Sequence, residues 1–296
     1  MASRTRRELI GTALALACGV RPASASAEES LLDIPLAKDA AGRLLVPAYV
    51  NGHGPYRFML DSGASHCAVT RELVRRLELP SAGAAPLSIV STVGRSSAQA
   101  IEAQSLEVGS LRIERLSMPV IAGEQGIIGA NALLGKRLDV NIEAQRLVLS
   151  NGTEKPAPST PAAVPLQQRF GGLLLAAGRI GTLECSFIVD TGAQRSIGNP
   201  LLAQRLEVSA TARAADPLII ATADATIASA ITLPALPIAI GAGAAVNLGI
   251  ACADLPVFTL WQLAKQPAVL LGMDYLSLLA RFVVDYRRST LTIRSR

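Results

Sequence analysis

Residues 58–67 read FMLDSGASHC, and residues 187–196 read FIVDTGAQRS. Each is an apolar run that ends on an aspartate, followed by a hydroxyl residue, a glycine and an alanine. A carboxylate at the end of a core strand is costly to desolvate, so its presence needs a reason. Taken singly, Asp-Ser-Gly or Asp-Thr-Gly also makes an ordinary turn. Two of them at equivalent places in one chain ask for a shared explanation.

The equivalence extends well beyond the triplets. Residues 44–79 and 173–208 align at a constant offset of 129. Gly52 falls on Gly181, Phe58 on Phe187, Asp61 on Asp190, and Leu73-Arg76-Leu77-Glu78 on Leu202-Arg205-Leu206-Glu207. Farther on, GIIGANAL (126–133) matches VLLGMDYL (269–276), and VNIEAQRLVL (140–149) matches VDYRRSTLTI (284–293). The offset has grown to 143 and then 144, so the second copy carries an insertion. Glycines and aspartates match in the same order, which a coincidence among apolar residues does not produce. Between the copies, residues 150–169 are rich in proline, serine and threonine and suit an extended linker. The sequence thus predicts domains over 31–152 and 166–296, joined by a linker over 153–165.

Each copy reads mostly as strand, in short β-rich runs bounded by glycine, proline or asparagine. One short helix per copy is expected. Thr70 caps RELVRRLEL in the first, and Asn199 caps PLLAQRLEV in the second, with Pro200 at the first helical position.

The first 27 residues stand apart. Arg4, Arg6 and Arg7 precede the apolar stretch LIGTALALACGV, and Ala25-Ser26-Ala27 forms a small-residue cleavage site. This is the order of a secretory signal peptide, and the adjacent arginines resemble a twin-arginine signal. A lipid anchor at Cys18 is the alternative reading of the same stretch. The expectation is a periplasmic or secreted protein. Without residues 1–27 the net charge falls from +5 to +2. That is no basic footprint for nucleic acid, and no later run is long and apolar enough to span a membrane.

No CxxC or HxxxH pattern supports a metal, and the two histidines, His53 and His66, are expected in surface loops. Three cysteines follow the signal, Cys67, Cys185 and Cys252. A Cys185–Cys252 bridge is compatible with export, but spacing alone does not establish it.

Each Asp triplet is followed, some 65 to 80 residues later, by two apolar residues and a glycine: Ile127-Ile128-Gly129 and Leu270-Leu271-Gly272. With this, the chain resembles the retropepsin-like aspartic peptidases over nearly all of its length beyond the signal. The resemblance implies an all-β fold: two tandem β-barrel domains related by a pseudo-two-fold axis. It implies an aspartic endopeptidase with Asp61 and Asp190 as catalytic dyad, acting on a peptide or protein substrate without metal or cofactor. Two carboxylates at close range share a proton, so one can act as base and the other as acid. Ser62 and Thr191 are then expected to hydrogen-bond across the axis. Gly63 and Gly192 let backbone approach the carboxylates, and Gly129 and Gly272 are packing positions. A flap is expected over 87–103, with Thr92, Val93 and Gly94 at its tip touching substrate, and a second hairpin over 218–233. Arg195, unusual after the triplet, is read as a partner for an acidic substrate group, as a cation lowering the dyad's pKa, or as a solvated loop residue. The alternatives to a monomeric peptidase are an inactive peptide-binding module and an enzyme formed only between two chains.

Overall fold

The first hairpin shows how the sequence sets the architecture. Leu44–Val50 is a mostly buried strand that alternates toward its end. Asn51 and Gly52 follow with φ of 52° and 77°. A two-residue turn with both φ values positive matches the twist of paired strands, and Asn-Gly suits it. The chain returns as His53–Leu60, antiparallel to the first strand. The second copy repeats this with Leu173–Ile180, Gly181 at φ 59°, and Leu183–Val189. Both hairpins end where an aspartate begins.

The computed structural model describes residues 33–296 except 82, 84, 85, 92, 93, 154–161, 207–217, 220–226, 229 and 242–244. The expected signal peptide over 1–27, most of the linker, and Thr92 and Val93 lie outside the described residues. Strands dominate, giving an all-β fold.

The two expected helices are Arg71–Arg76 and Pro200–Arg205. The Thr70 hydroxyl accepts from the Leu73 amide at 3.1 Å, and the Asn199 side chain accepts from the Leu202 amide at 3.0 Å. One helix per copy is nevertheless too few. Among the described residues there are also Ala130–Leu133, Pro256–Leu260 and Met273–Leu276. At four or five residues these turns are too short to show a helical repeat of apolar positions.

The two copies share one sheet. In it Arg137–Asn141 from the first copy pairs antiparallel with Leu279–Asp285 from the second. Each is flanked by its own copy's next strand, Arg146–Ser150 or Thr290–Ser295, and then by Asp33–Pro35, at the sheet's edge, or Val164–Arg169, from which the sheet continues into Leu173–Ile180. Val164 and Pro165, assigned to the linker from sequence, therefore belong to a strand. The copy offset is 144 here, so Asp139 and Val283 are equivalent residues that face each other. The pseudo-two-fold axis passes between them. Asp139 is buried and bonds Arg137 of its own copy and Arg281 of the other. One apolar cluster runs through both copies, with the equivalent Phe58 and Phe187 fully buried.

Strand register also locates the insertion. Val69 pairs with Val120, and its equivalent Gly198 pairs with Cys252, an offset of 132. By Ile127 and Leu270 the offset is 143. Eleven extra residues therefore lie between Cys252 and Leu270, and they carry the helix Pro256–Leu260.

Candidate active site

The apolar-apolar-glycine segments fix the two Asp loops from behind. Gly126–Ile128 pairs parallel with Phe58–Leu60, and Ala268–Leu271 with Ser186–Val189. The Asp61 amide donates to the Ile128 carbonyl at 3.0 Å, and the Asp190 amide to the Leu271 carbonyl at 3.1 Å. After each strand the glycine passes close under the loop. A Cβ on Gly272 would lie 2.7 Å from the Arg195 carbonyl carbon, and one on Gly129 would meet His66 backbone. Both glycines are therefore close-packing positions.

A second tie sits beside each glycine. The Cys67 amide donates to the Asn131 side chain at 2.7 Å, and the Gly129 amide donates to Cys67 Sγ at 3.3 Å. In the second copy Ser196 and Asp274 take these places. The Ser196 hydroxyl donates to Asp274 Oδ1 at 2.6 Å and accepts from the Gly272 amide at 3.0 Å. Sequence reasoning missed these pairs. The signal lay in the repeat alignment, where Cys67 becomes Ser196 together with Asn131 becoming Asp274.

The structure brings Asp61 and Asp190 together, close enough for each carboxyl to influence the ionisation of the other. Asp61 Oδ1 accepts from the Gly63 and Ala64 amides at 2.9 and 3.0 Å. Asp190 Oδ1 accepts from Gly192 and Ala193 at 2.9 and 3.1 Å. Each carboxyl also lies over the glycine of the opposite loop. A Cβ on Gly63 would be 2.6 Å from Asp190 Cγ, and one on Gly192 would strike the Asp61 carboxyl.

The hydroxyl residues lock the loops reciprocally. The Ser62 hydroxyl donates to the Val189 carbonyl at 2.8 Å and accepts from the Thr191 amide at 3.0 Å. The Thr191 hydroxyl donates to the Leu60 carbonyl at 2.7 Å and accepts from the Ser62 amide at 3.1 Å. Both side chains are buried, so these four bonds do not compete with water.

The two carboxyls are not equivalent. Asp190 is 6% exposed, whereas Asp61 is half-buried. Burial raises the Asp61 pKa, opposed by its loop amides and, more weakly, by the Arg43 charge. Burial pushes Asp190 well above the usual carboxylate range, and the Asp61 charge pushes it further. The pair therefore retains a proton at pH values where ordinary carboxyls have lost theirs. Arg43 was not singled out from sequence; its guanidinium is held by Asp39.

Near the two aspartates lies Tyr286, buried, with a hydroxyl that has no hydrogen-bond partner among the described residues. Ser62 is its neighbour, but that hydroxyl is committed to Val189 and Thr191. Burial and the two aspartate charges push the phenol pKa up. The first copy has Ile142 at this position. Tyr286→Phe keeps the ring and removes an unpaired buried O–H, so melting should show unchanged or higher stability, by up to about 1 kcal/mol. A drop of similar size would show that the hydroxyl has a partner.

Of the expected flap, strands Leu87–Ser91 and Gly94–Ala98 pair as a hairpin. Val90 and Arg95 from it line a cavity of about 230 Å³ beside the Asp61 loop. In the second candidate hairpin, Leu218–Ile219 pairs with Ile227–Ala228. Arg195 is exposed and lines a separate cavity of about 510 Å³ on the Asp190 loop, together with Gln194 and Asp274. His53 begins a strand rather than a loop, and His66 sits in the Asp61 loop with Nδ1 2.8 Å from the Ser65 hydroxyl. Cys67, Cys185 and Cys252 are all buried free thiols, so the candidate Cys185–Cys252 bridge is not formed. Burial raises each thiol pKa to about 12. Among the described residues, no three His, Cys, Asp or Glu side chains cluster so as to hold a metal ion, and no helix is long and apolar enough to cross a membrane.

A family model described as aspartyl protease matches residues 46–132 and 176–275. The two segments cover more than half of the chain, and each contains one Asp triplet with its apolar-apolar-glycine segment. No curated protein matches this chain.

Proposed function

Because the chain belongs to the aspartyl protease family, we propose that it is an endopeptidase in which Asp61 and Asp190 of one chain act as a single catalytic unit. The observation that carries this reading is the reciprocal locking of the two Asp loops, which sets each carboxyl over the glycine of the opposite loop. Asp61 is half-buried and subject to the Arg43 charge, so it is the carboxylate and general base. Asp190 is buried and holds the proton. Asp61 takes a proton from water as its oxygen bonds to the scissile carbonyl carbon, while Asp190 donates to the carbonyl oxygen. The resulting diol collapses as the C–N bond breaks and the amine leaves with a proton returned from the pair. The hydroxyl lock keeps both carboxyls in place, so little reorganisation accompanies each turnover.

Digestion of a peptide library by the purified protein, across a range of pH and with a chelator in parallel, tests this reading. Cleavage that persists with chelator and needs both aspartates is expected. Loss on chelation would replace the mechanism, and inactivity throughout would favour a peptide-binding module.

Export rests on residues 1–27, with arginines before a short apolar run and Ala25-Ser26-Ala27 after it. N-terminal sequencing of the protein from a secreting host should read from Glu28; an intact Met1 terminus would contradict export.

A further inference from the structure

The cavity beside Asp61 is walled largely by apolar side chains from both copies. Phe170 lies in the turn between Val164–Arg169 and Leu173–Ile180, Leu173 begins the latter strand, and Leu260 and Trp261 come from the insertion. The flap hairpin reaches this wall. Val90 packs on the apolar cluster that holds Val257, Phe258 and Trp261, and Gly94 lies against Pro256. Into this apolar setting the hairpin brings one charge, Arg95.

Arg95 is exposed. Its guanidinium makes a long bond of 3.4 Å to the Ser88 hydroxyl on the facing strand, and among the described residues it forms no ion pair with a carboxylate. A pocket for a neutral side chain gains nothing from such a cation. The neighbouring dyad carries negative charge, which disfavours any acidic group entering the cleft. A cation at the pocket offsets that repulsion and supplies a planar pair of donors suited to a carboxylate.

Resting on the peptidase reading, we infer that Arg95 is a specificity-determining residue: it selects peptides that present a carboxylate next to a bulky apolar side chain bound beside Asp61. The carboxylate has two sources, an aspartate or glutamate side chain or the free C-terminus of the peptide.

The test uses the full chain and peptides built around a leucine or phenylalanine. Each peptide is made with Glu or Gln next to that residue, and with a free or amidated C-terminus. Binding is measured by calorimetry alongside cleavage. The carboxylate form should be preferred about fivefold, the scale of one exposed guanidinium–carboxylate pair, and added salt should narrow the gap. Arg95→Gln should erase the preference, and Arg95→Glu should turn it toward Lys-bearing peptides, a reversal that a purely structural role would not produce. Sensitivity to Glu→Gln identifies a side-chain carboxylate; sensitivity to amidation identifies the C-terminus. No preference in the parent, or the same preference in Arg95→Gln, overturns the inference while cleavage itself continues. Selective binding without any cleavage overturns the peptidase reading and leaves the role of Arg95 standing.

Discussion

Asp190→Asn should stop peptide cleavage and, near neutral pH, leave a protein more stable than its parent. The amide cannot supply the shared proton, so the acid half of the reaction is lost, a change of about 10²–10⁴-fold in kcat. The stability gain follows from burial. The folded-state pKa of Asp190 lies well above its ordinary value of 3.8, so over the interval between them the folded protein binds more protons than the unfolded chain. Stability is therefore full below the ordinary value and declines as pH rises through the raised one. An asparagine side chain does not ionise, so the substitution removes the largest part of that decline. Melting curves from about pH 4 to about pH 8 should show the variant gaining on the parent as pH rises. Parallel curves would mean that Asp190 is not held protonated by its surroundings.

Gly192→Ala should be nearly as damaging, through geometry. Its Cβ would occupy the place of the Asp61 carboxyl. Asp61 is tied by the Gly63 and Ala64 amides, so the conflict is relieved only by displacing a reacting group or prising the loops apart. A misplacement of about 1 Å costs on the order of 10²-fold in rate, and overpacking costs about 1–3 kcal/mol. Gly181→Ala is the control. Gly181 has φ 59° with nothing near its missing Cβ, so alanine there carries only a backbone penalty and should leave kcat unchanged. Equal kcat for Gly192→Ala and the parent would show that the loops yield without consequence.

The sequence announces the dyad because aspartate and glycine are conspicuous in apolar surroundings, and because the chain shows them twice. The caps Thr70 and Asn199 were legible for the same reason, as local chemistry with a fixed position relative to a helix. Contacts between the copies were hidden. VNIEAQRLVL and VDYRRSTLTI read as equivalent segments, yet nothing in either shows that the strands leading into them, Arg137–Asn141 and Leu279–Asp285, pair with each other. The cavity walls at Phe170 and Trp261 were equally silent, since bulky apolar residues near an insertion resemble core. The unpaired hydroxyl of Tyr286 is a property of its surroundings and is invisible in the residue itself. Arg195 drew notice as an anomaly in the motif, while Arg95, an ordinary residue of a polar hairpin, lines the cavity beside Asp61.

Asp139 bears on which halves can join. Two first copies meeting in the same register would set Asp139 directly against Asp139, and opposed like charges weaken a strand pair. Two second copies would set Val283 against Val283 and leave each Arg281 without the carboxylate it now holds. Only a mixed pair gives one buried aspartate an arginine from each side. A single residue at the axis thus sorts unlike halves from like, whether the partner half is supplied by the same polypeptide or by another.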